Sequence, residues 1–389
     1  MKAPYNAIMK IALYYPWLYL TSGAERSILE LVRRSRHDWT IFTNHYDREH
    51  TYPGFNNCTI VELSRVAVER SFTKVLSAGL KIALQKLELQ EFDALLVVCE
   101  GLGDMIVFRN HDKPVFCLCL TPLRPVFDPV YQERYLNDKN PFTRLKLHSF
   151  GQLFRLLDRL AWRYYQGILC ISRECYNRVL AGGLAPAHEL GFAYPGIDME
   201  RLNPSGRREK YFLLPGRIMW TKNIELGIEA FKRLRAECAE AREFRLIIAG
   251  IVDKKSEPYY DSLRKLAADC PEIEFVIHPD DDRLFALYDG AYGILFTPFN
   301  EDWGIVPLEA MAYGKPVIAV NRGGAVETVE HGKCGFLAEP NREEFARRMA
   351  ELVMAPEMAQ RMGECGRTSV RRYDWTHFAN AVDTMVGAL

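Results

Sequence analysis

Residues 299–324 read FNEDWGIVPLEAMAYGKPVIAVNRGG. Two carboxylates in this stretch, Glu301 and Glu309, stand eight positions apart. The first follows a strand-like apolar run at 292–298, and the second lies inside a helix-like run at 306–313. Gly304 lets the chain turn between them without a Cβ clash. Pro307 suits a first helical turn, where its missing N–H costs nothing. The free N–H groups of Ile305 and Val306 then point out of the positive end of the helix and form an anion site. Carboxylates on either side of a phosphate-sized site suit a nucleotide sugar, with hydroxyls for the carboxylates and a diphosphate for the amides. A lone Glu-x7-Glu would be read more simply, as acidic residues favourable to a helix dipole.

The flanking residues decide between these readings. The whole stretch resembles the nucleotide-sugar signature of the retaining glycosyltransferases of the GT-B fold, specifically their fourth family (group 1), in its mannosyltransferase-like branch. That signature is Glu-x-Phe-Gly-x4-Glu-Ala, then Gly-x-Pro-Val and Gly-Gly-x-x-Glu. Here stand Glu301-Asp302-Trp303-Gly304, Glu309-Ala310, Gly314-Lys315-Pro316-Val317 and Gly323-Gly324-Ala325-Val326-Glu327, with Trp303 keeping the aromatic ring. The resemblance covers most of the chain. It implies an α/β fold of two Rossmann-like β/α/β domains facing across a cleft, acceptor-binding at 1–190 and nucleotide-sugar-binding at 191–373. The last helix, 374–389, is expected to cross back to the N-terminal domain.

The alternation of runs agrees with that division. Apolar strand-like runs at 8–14, 39–42, 93–98 and 114–120 lack period-two alternation, as in a parallel sheet covered on both faces. From about residue 191 the alternation restarts, with runs at 211–214, 244–249 and 274–277 separated by helix-like stretches. Two such halves predict two Rossmann-like domains joined through a linker at 188–204.

A second group supports the donor site. Arg217 ends a strand-like run and Lys222 follows five residues later. Cations at a helix start oppose the dipole and need a reason; two of them can stabilise the charge of a departing diphosphate. By resemblance, Glu301, Lys222 and Arg217 are the catalytic residues. Gly23, Arg217, Lys222, Ile277, Glu301, Trp303, Gly304, Ile305, Val306 and Glu309 bind the donor. Glu301 takes the sugar hydroxyls and Glu309 the ribose. Gly23 belongs to Thr21-Ser22-Gly23-Ala24-Glu25, where Ser22 replaces the family's first glycine. Thr121-Pro122-Leu123-Arg124 resembles the family's His-Thr-Pro-x-Arg element, with Leu120 in the histidine's place. Arg124 and Glu100 mark the acceptor side.

Composition sets outer bounds. At 389 residues, 48% hydrophobic and 26% charged, the chain is that of an ordinary globular protein of two domains. Its ten cysteines have no zinc spacing and are read as buried reduced thiols. No apolar run is long enough to span a bilayer, the start does not read as a signal peptide, and a cytoplasmic location is expected. Formal net charge is zero, yet segment 134–166 holds seven basic and two acidic residues. On a helical wheel Leu147, Phe150, Leu153, Phe154, Leu157, Leu160, Ala161 and Tyr164 share one face, opposite His148, Gln152, Arg155, Arg159 and Arg163. The basic stripe is either a solvated face or an attraction to an anionic membrane surface, which would make the protein peripheral to the membrane.

These readings converge on transfer of a hexose from a nucleoside diphosphate sugar, UDP slightly favoured over GDP, to a saccharide or lipid-linked saccharide in cell-surface polysaccharide biosynthesis. No cofactor and no metal are expected, and no nucleic-acid partner. A transferase for a small soluble acceptor and a binding protein on a decayed transferase fold remain the alternatives. The missing GxGxxG after the first strand excludes a dinucleotide-dependent dehydrogenase.

Overall fold

The computed structural model describes residues 7–66, 72–137, 139–202 and 204–388. The chain divides into two compact units: Met1–Pro195 with Trp375–Leu389, and Gly196–Asp374. Asn203, inside the predicted linker, and Asp138, inside the basic segment, lie outside the described residues.

Unit 1 is built on a parallel sheet of seven strands. They are β1 (Lys10–Tyr14), β2 (Asp38–Thr43), β3 (Thr59–Glu62), β4 (Ala94–Cys99), β5 (Val115–Cys119), β6 (Tyr165–Cys170) and β7 (Leu190–Phe192). Their order across the sheet is β3-β2-β1-β4-β5-β6-β7. Every residue of β4 and β5 is buried, which is why these segments read as unbroken apolar runs. β3 is a polar edge strand without such a run. β7 pairs with β6, so the first unit extends to Pro195 rather than to residue 190. The cysteines are free, eight of the ten buried.

Three helices of this unit matter below: α1 (Gly23–Arg34), α2 (Phe72–Leu84) and α3 (Pro141–Trp162). The stripe of α3 differs from its wheel. The buried positions are Phe154, Asp158, Ala161 and Trp162, while Leu153, Leu156, Leu157 and Leu160 stand exposed. Arg155 Nη2 donates to Val126 O at 2.7 Å and Arg159 Nε to Gly182 O at 2.9 Å. These two arginines tie the helix to its own unit instead of forming a free stripe. A wheel ranks positions by polarity, but backbone carbonyls beside the helix reward arginines that can reach them.

Unit 2 contains β8 (Tyr211–Pro215), β9 (Arg245–Gly250), β10 (Ile273–Ile277), β11 (Gly293–Phe296), β12 (Val317–Val320) and β13 (Gly335–Ala338). Their order is β10-β9-β8-β11-β12-β13, all parallel. Helices α4 (Ile224–Glu237), α5 (Ile305–Ala312) and α6 (Arg342–Met354) cover it, with Phe231 and Phe345 fully buried. The final helix, α7 (Trp375–Val386), belongs to unit 1. There Asp383 accepts from Ser35 Oγ at 2.5 Å and from Arg36 N at 3.0 Å. Each sheet is wound in both directions, so each has one switch point: between β1 and β4 in unit 1, and between β8 and β11 in unit 2. Loops leaving the carboxyl ends of those strands diverge and leave a crevice.

One buried group in unit 1 makes stability depend on pH. Both carboxylate oxygens of Asp158 are buried with no hydrogen-bond partner among the described residues, and this burial holds its carboxyl well above the usual range. A raised carboxyl favours folding at acid pH, and the contribution is lost as pH climbs through the folded value. Asp158→Asn cannot ionise. Relative to wild type, its unit-1 unfolding free energy should improve from pH 4 towards pH 7, by up to about 1.4 kcal/mol per pH unit. Urea titrations at both pH values test this, and a constant gap would show that Asp158 does not titrate above its ordinary range.

Candidate functional site

In unit 2 the predicted residues collect on the loops of the switch point. Arg217 and Lys222 follow β8, and Glu301 and Gly304 follow β11. Three interactions knit these loops together. Thr297 Oγ1 donates to Lys222 O at 2.8 Å, Phe299 N donates to Thr221 O at 3.2 Å, and Lys222 Nζ is ion-paired with Glu301 Oε2. The Lys222 and Glu301 side chains remain 22% and 23% exposed, which leaves the pair open to exchange with a ligand. Arg217 is exposed and makes no hydrogen bond or ion pair among the described residues.

The turn into α5 depends on close backbone approaches. Gly304 has φ 87°, and a Cβ there would lie 2.6 Å from the Phe296 ring. Gly324 N donates to Glu301 O at 2.9 Å, and a Cβ on Gly324 would fall 2.2 Å from Trp303 O. The two glycines at 323–324 and the loop at 301–304, separate in sequence, are therefore one packed unit. Trp303 is buried with its ring edge-on to Tyr373 at 5.1 Å, so its side chain anchors the loop. Ile305 and Val306 head α5, where no preceding turn accepts from their amides. Pro307 is the third residue of the helix.

Glu309 lies in the second turn of α5 and accepts from Tyr288 Oη at 2.6 Å. The Tyr288 ring stacks on Tyr313 at 5.7 Å and 11°. Burial and the adjacent carboxylate push the Tyr288 hydroxyl well above its ordinary pKa, so it stays a donor and orients Glu309. Ile277 ends β10 beside Gly250 on the same carboxyl edge of the sheet.

Unit 1 holds Gly23, Glu100 and Arg124. Gly23 opens α1 behind its cap, Ser22, whose hydroxyl accepts from Ala24 N at 3.3 Å. Glu100 follows β4 and accepts from Tyr15 Oη at 2.6 Å, which joins the two loops of the unit-1 switch point. Arg124 pairs with buried Asp128 at 3.0 Å. Buried Arg178 reaches the same Asp128 oxygen at 3.3 Å and donates to Thr121 Oγ1 at 2.7 Å. This network fixes the 121–124 element. Leu120 is buried, its carbonyl accepting from Cys175 Sγ at 2.9 Å, so it is a core residue rather than a polar group. Sequence reasoning missed Tyr288, Tyr15, Asp128 and Arg178. Their partners lie 21 to 85 positions away or, for Asp128, within a short helix turn.

A family model for glycosyl transferases group 1 matches residues 199–369. The alpha-1,3/1,6-mannosyltransferase alg-2 of Neurospora crassa is 33% identical over 428 aligned residues, covering 94% of this chain and 87% of that protein. ALG2 of Mus musculus, described in the same words, is 26% identical over 381 residues, covering 90% and 88%. Among solved structures, Anabaena Alr3699/HepE in complex with UDP and glucose superposes with a TM-score of 0.71 at 17% identity, covering 98% of this chain and all of that one. That likeness is one of fold, two Rossmann-like domains of the GT-B type.

Gly324→Ala should force the 301–304 loop away from its seat. Its expected cost is about 1–3 kcal/mol in the unit-2 unfolding transition, read by chemical denaturation. A full-stability variant would mean that the loop yields freely and that the glycine is not needed for packing.

Proposed function

The chain belongs to the group 1 glycosyl transferases, and from that membership we propose an enzyme that moves a mannosyl group from a nucleoside diphosphate sugar to a saccharide hydroxyl, with retention and without a metal ion. Mannose is chosen because relatives spanning most of the chain are named as alpha-1,3/1,6-mannosyltransferases. The observation that carries the reading is the Lys222–Glu301 ion pair at the unit-2 switch point, next to the amide head of α5. A carboxylate and a cation held together there are poised to separate onto a donor, the carboxylate to sugar hydroxyls and the ammonium to phosphate.

In this scheme the acceptor oxygen attacks the anomeric carbon as its bond to the diphosphate breaks. The proton passes to the departing phosphate oxygen, on the same face, so configuration is kept. Lys222, Arg217 and the amides of Ile305 and Val306 meet the charge that develops on the leaving group. Glu309, oriented by Tyr288, takes the ribose hydroxyls, and Trp303 and Gly304 hold the loop in place. No histidine base is required in this route, which is compatible with Leu120. The acceptor is proposed to be lipid-linked and the enzyme to work at the cytoplasmic membrane face.

The test is direct. Purified protein is incubated with mannose or glucose carried on UDP or GDP, and with a polyprenyl-linked saccharide. Mannosyl transfer that persists in EDTA and gives an axial linkage by NMR is the expected result. Turnover only with glucose donors, or only with added divalent metal, would overturn that part of the reading.

Two variants separate binding from chemistry. Glu309→Ala should weaken nucleoside diphosphate binding by about 10- to 100-fold, the loss of charge-assisted hydrogen bonds worth about 1.5–3 kcal/mol, by calorimetry. Lys222→Ala should depress kcat more than donor affinity, because its charge matters most as the leaving group forms. A higher KM with kcat intact would make Lys222 a binding residue only.

A further inference from the structure

Exposed large apolar side chains are not scattered evenly over the described residues. On α3 and the residue pair that follows it, Phe142, Leu145, Leu153, Leu156, Leu157, Leu160 and Tyr164 are 37–66% exposed. On α2, Leu76, Leu80 and Leu84 are 41–62% exposed. Together they make ten of the eighteen exposed large apolar residues of the described chain. At about 100° per residue each set falls on one helical face. Both helices pack against the same short helical segment, Leu102–Arg109. Rows of exposed large apolar side chains on one helical face mark an interaction site.

The charges around it name the partner. Within 139–164 the only acidic residue is Asp158, which is buried, whereas Arg144, Lys146 and Arg163 are exposed. Lys146 Nζ sits 4.4 Å from the Phe142 ring centroid, its stem lying along apolar surface and its ammonium at the rim. Helix α2 adds exposed Lys74 and Lys81 and carries no acidic residue. Apolar rows on segments whose own exposed charges are all cationic match a bilayer surface of anionic lipid, with acyl chains beneath and phosphates above. Among the described residues no helix is long and apolar enough to cross a membrane, whereas α3, with 22 residues, would lie along one for about 33 Å.

We propose that unit 1 docks on anionic phospholipid through the exposed leucine faces of α3 and α2, and that apolar insertion rather than the arginine stripe holds it there. Arg155 and Arg159 are engaged with Val126 O and Gly182 O and play no part in lipid contact. The inference deepens the membrane-face reading above but stands on unit-1 geometry, independent of the donor assignments.

Flotation with vesicles of pure phosphatidylcholine, and of phosphatidylcholine with 30% phosphatidylglycerol, tests it on the full chain. Wild type should bind the anionic vesicles, and high salt should weaken but not abolish binding, since only the charged share is screened. Leu145→Asp/Leu153→Asp/Leu156→Asp should bind about tenfold or more weakly, with unchanged near-UV circular dichroism and nucleotide affinity. Arg155→Gln should bind like wild type. Three results would overturn the proposal: no vesicle binding by wild type, equal binding by the triple variant, or a wild-type dimer in solution that the triple variant abolishes, which would assign the face to a second copy. Transfer to a water-soluble acceptor analogue reads the donor assignments separately, and its loss in both proteins would leave the docking result intact.

Discussion

A parallel sheet wound in both directions can form a crevice at its carboxyl edge only where two neighbouring strands send their loops to opposite faces. In each unit that constraint leaves one crevice, and in each a contact between side chains spans it. Tyr15 donates to Glu100 in unit 1, and Lys222 pairs with Glu301 in unit 2. The surrounding residues make sense as supports for the second contact. Thr297 and Phe299 bind the backbone of the Lys222 loop, the two glycines at 323–324 seat the Glu301 loop, and Trp303 anchors it against Tyr373. The loops that carry this pair are thus fixed to each other and to their neighbours by backbone contacts.

The strand–turn–helix passage around α5 was legible because its residues are written locally. Glu301, Gly304 and Glu309 share one strand–turn–helix passage, and the residue types there have few other uses. Gly324 could be read as part of a motif, but not as the residue whose missing side chain lets Trp303 O approach. Longer-range orientation left no trace in sequence. The Tyr288 hydroxyl behind Glu309 and the Arg178–Asp128 network behind Thr121 join residues from separate elements, and no local period reports such pairs.

Helix α3 shows the opposite case, in which a clear periodic signal pointed the wrong way. Its wheel separates apolar from basic residues cleanly, and burial then takes only Phe154 and Ala161 from the apolar face, together with Asp158 and Trp162. The seam of Phe154, Asp158, Ala161 and Trp162 lies between the rows. The arginines find carbonyls, and the leucines are left outside. Amphipathicity reports that a helix has two environments, not which of them is the protein. The strand boundaries were limited in a related way: β7 and β3 are short or polar, and pairing with a neighbour, rather than their own composition, makes them strands.

The chain enters unit 2 after Pro195 and leaves it after Asp374, and α7 then completes unit 1 through Asp383, Trp375 and Phe378. On the ribosome this order has a consequence. The 179 residues of unit 2, 196–374, are synthesised as one uninterrupted block and can collapse on their own while α7 is still unmade. Unit 1 must wait with the surface around Ser35 and Arg36 uncovered until the last helix emerges. At about 5–20 residues per second that interval is on the order of ten seconds or more, so the half of the molecule translated first is the half finished last.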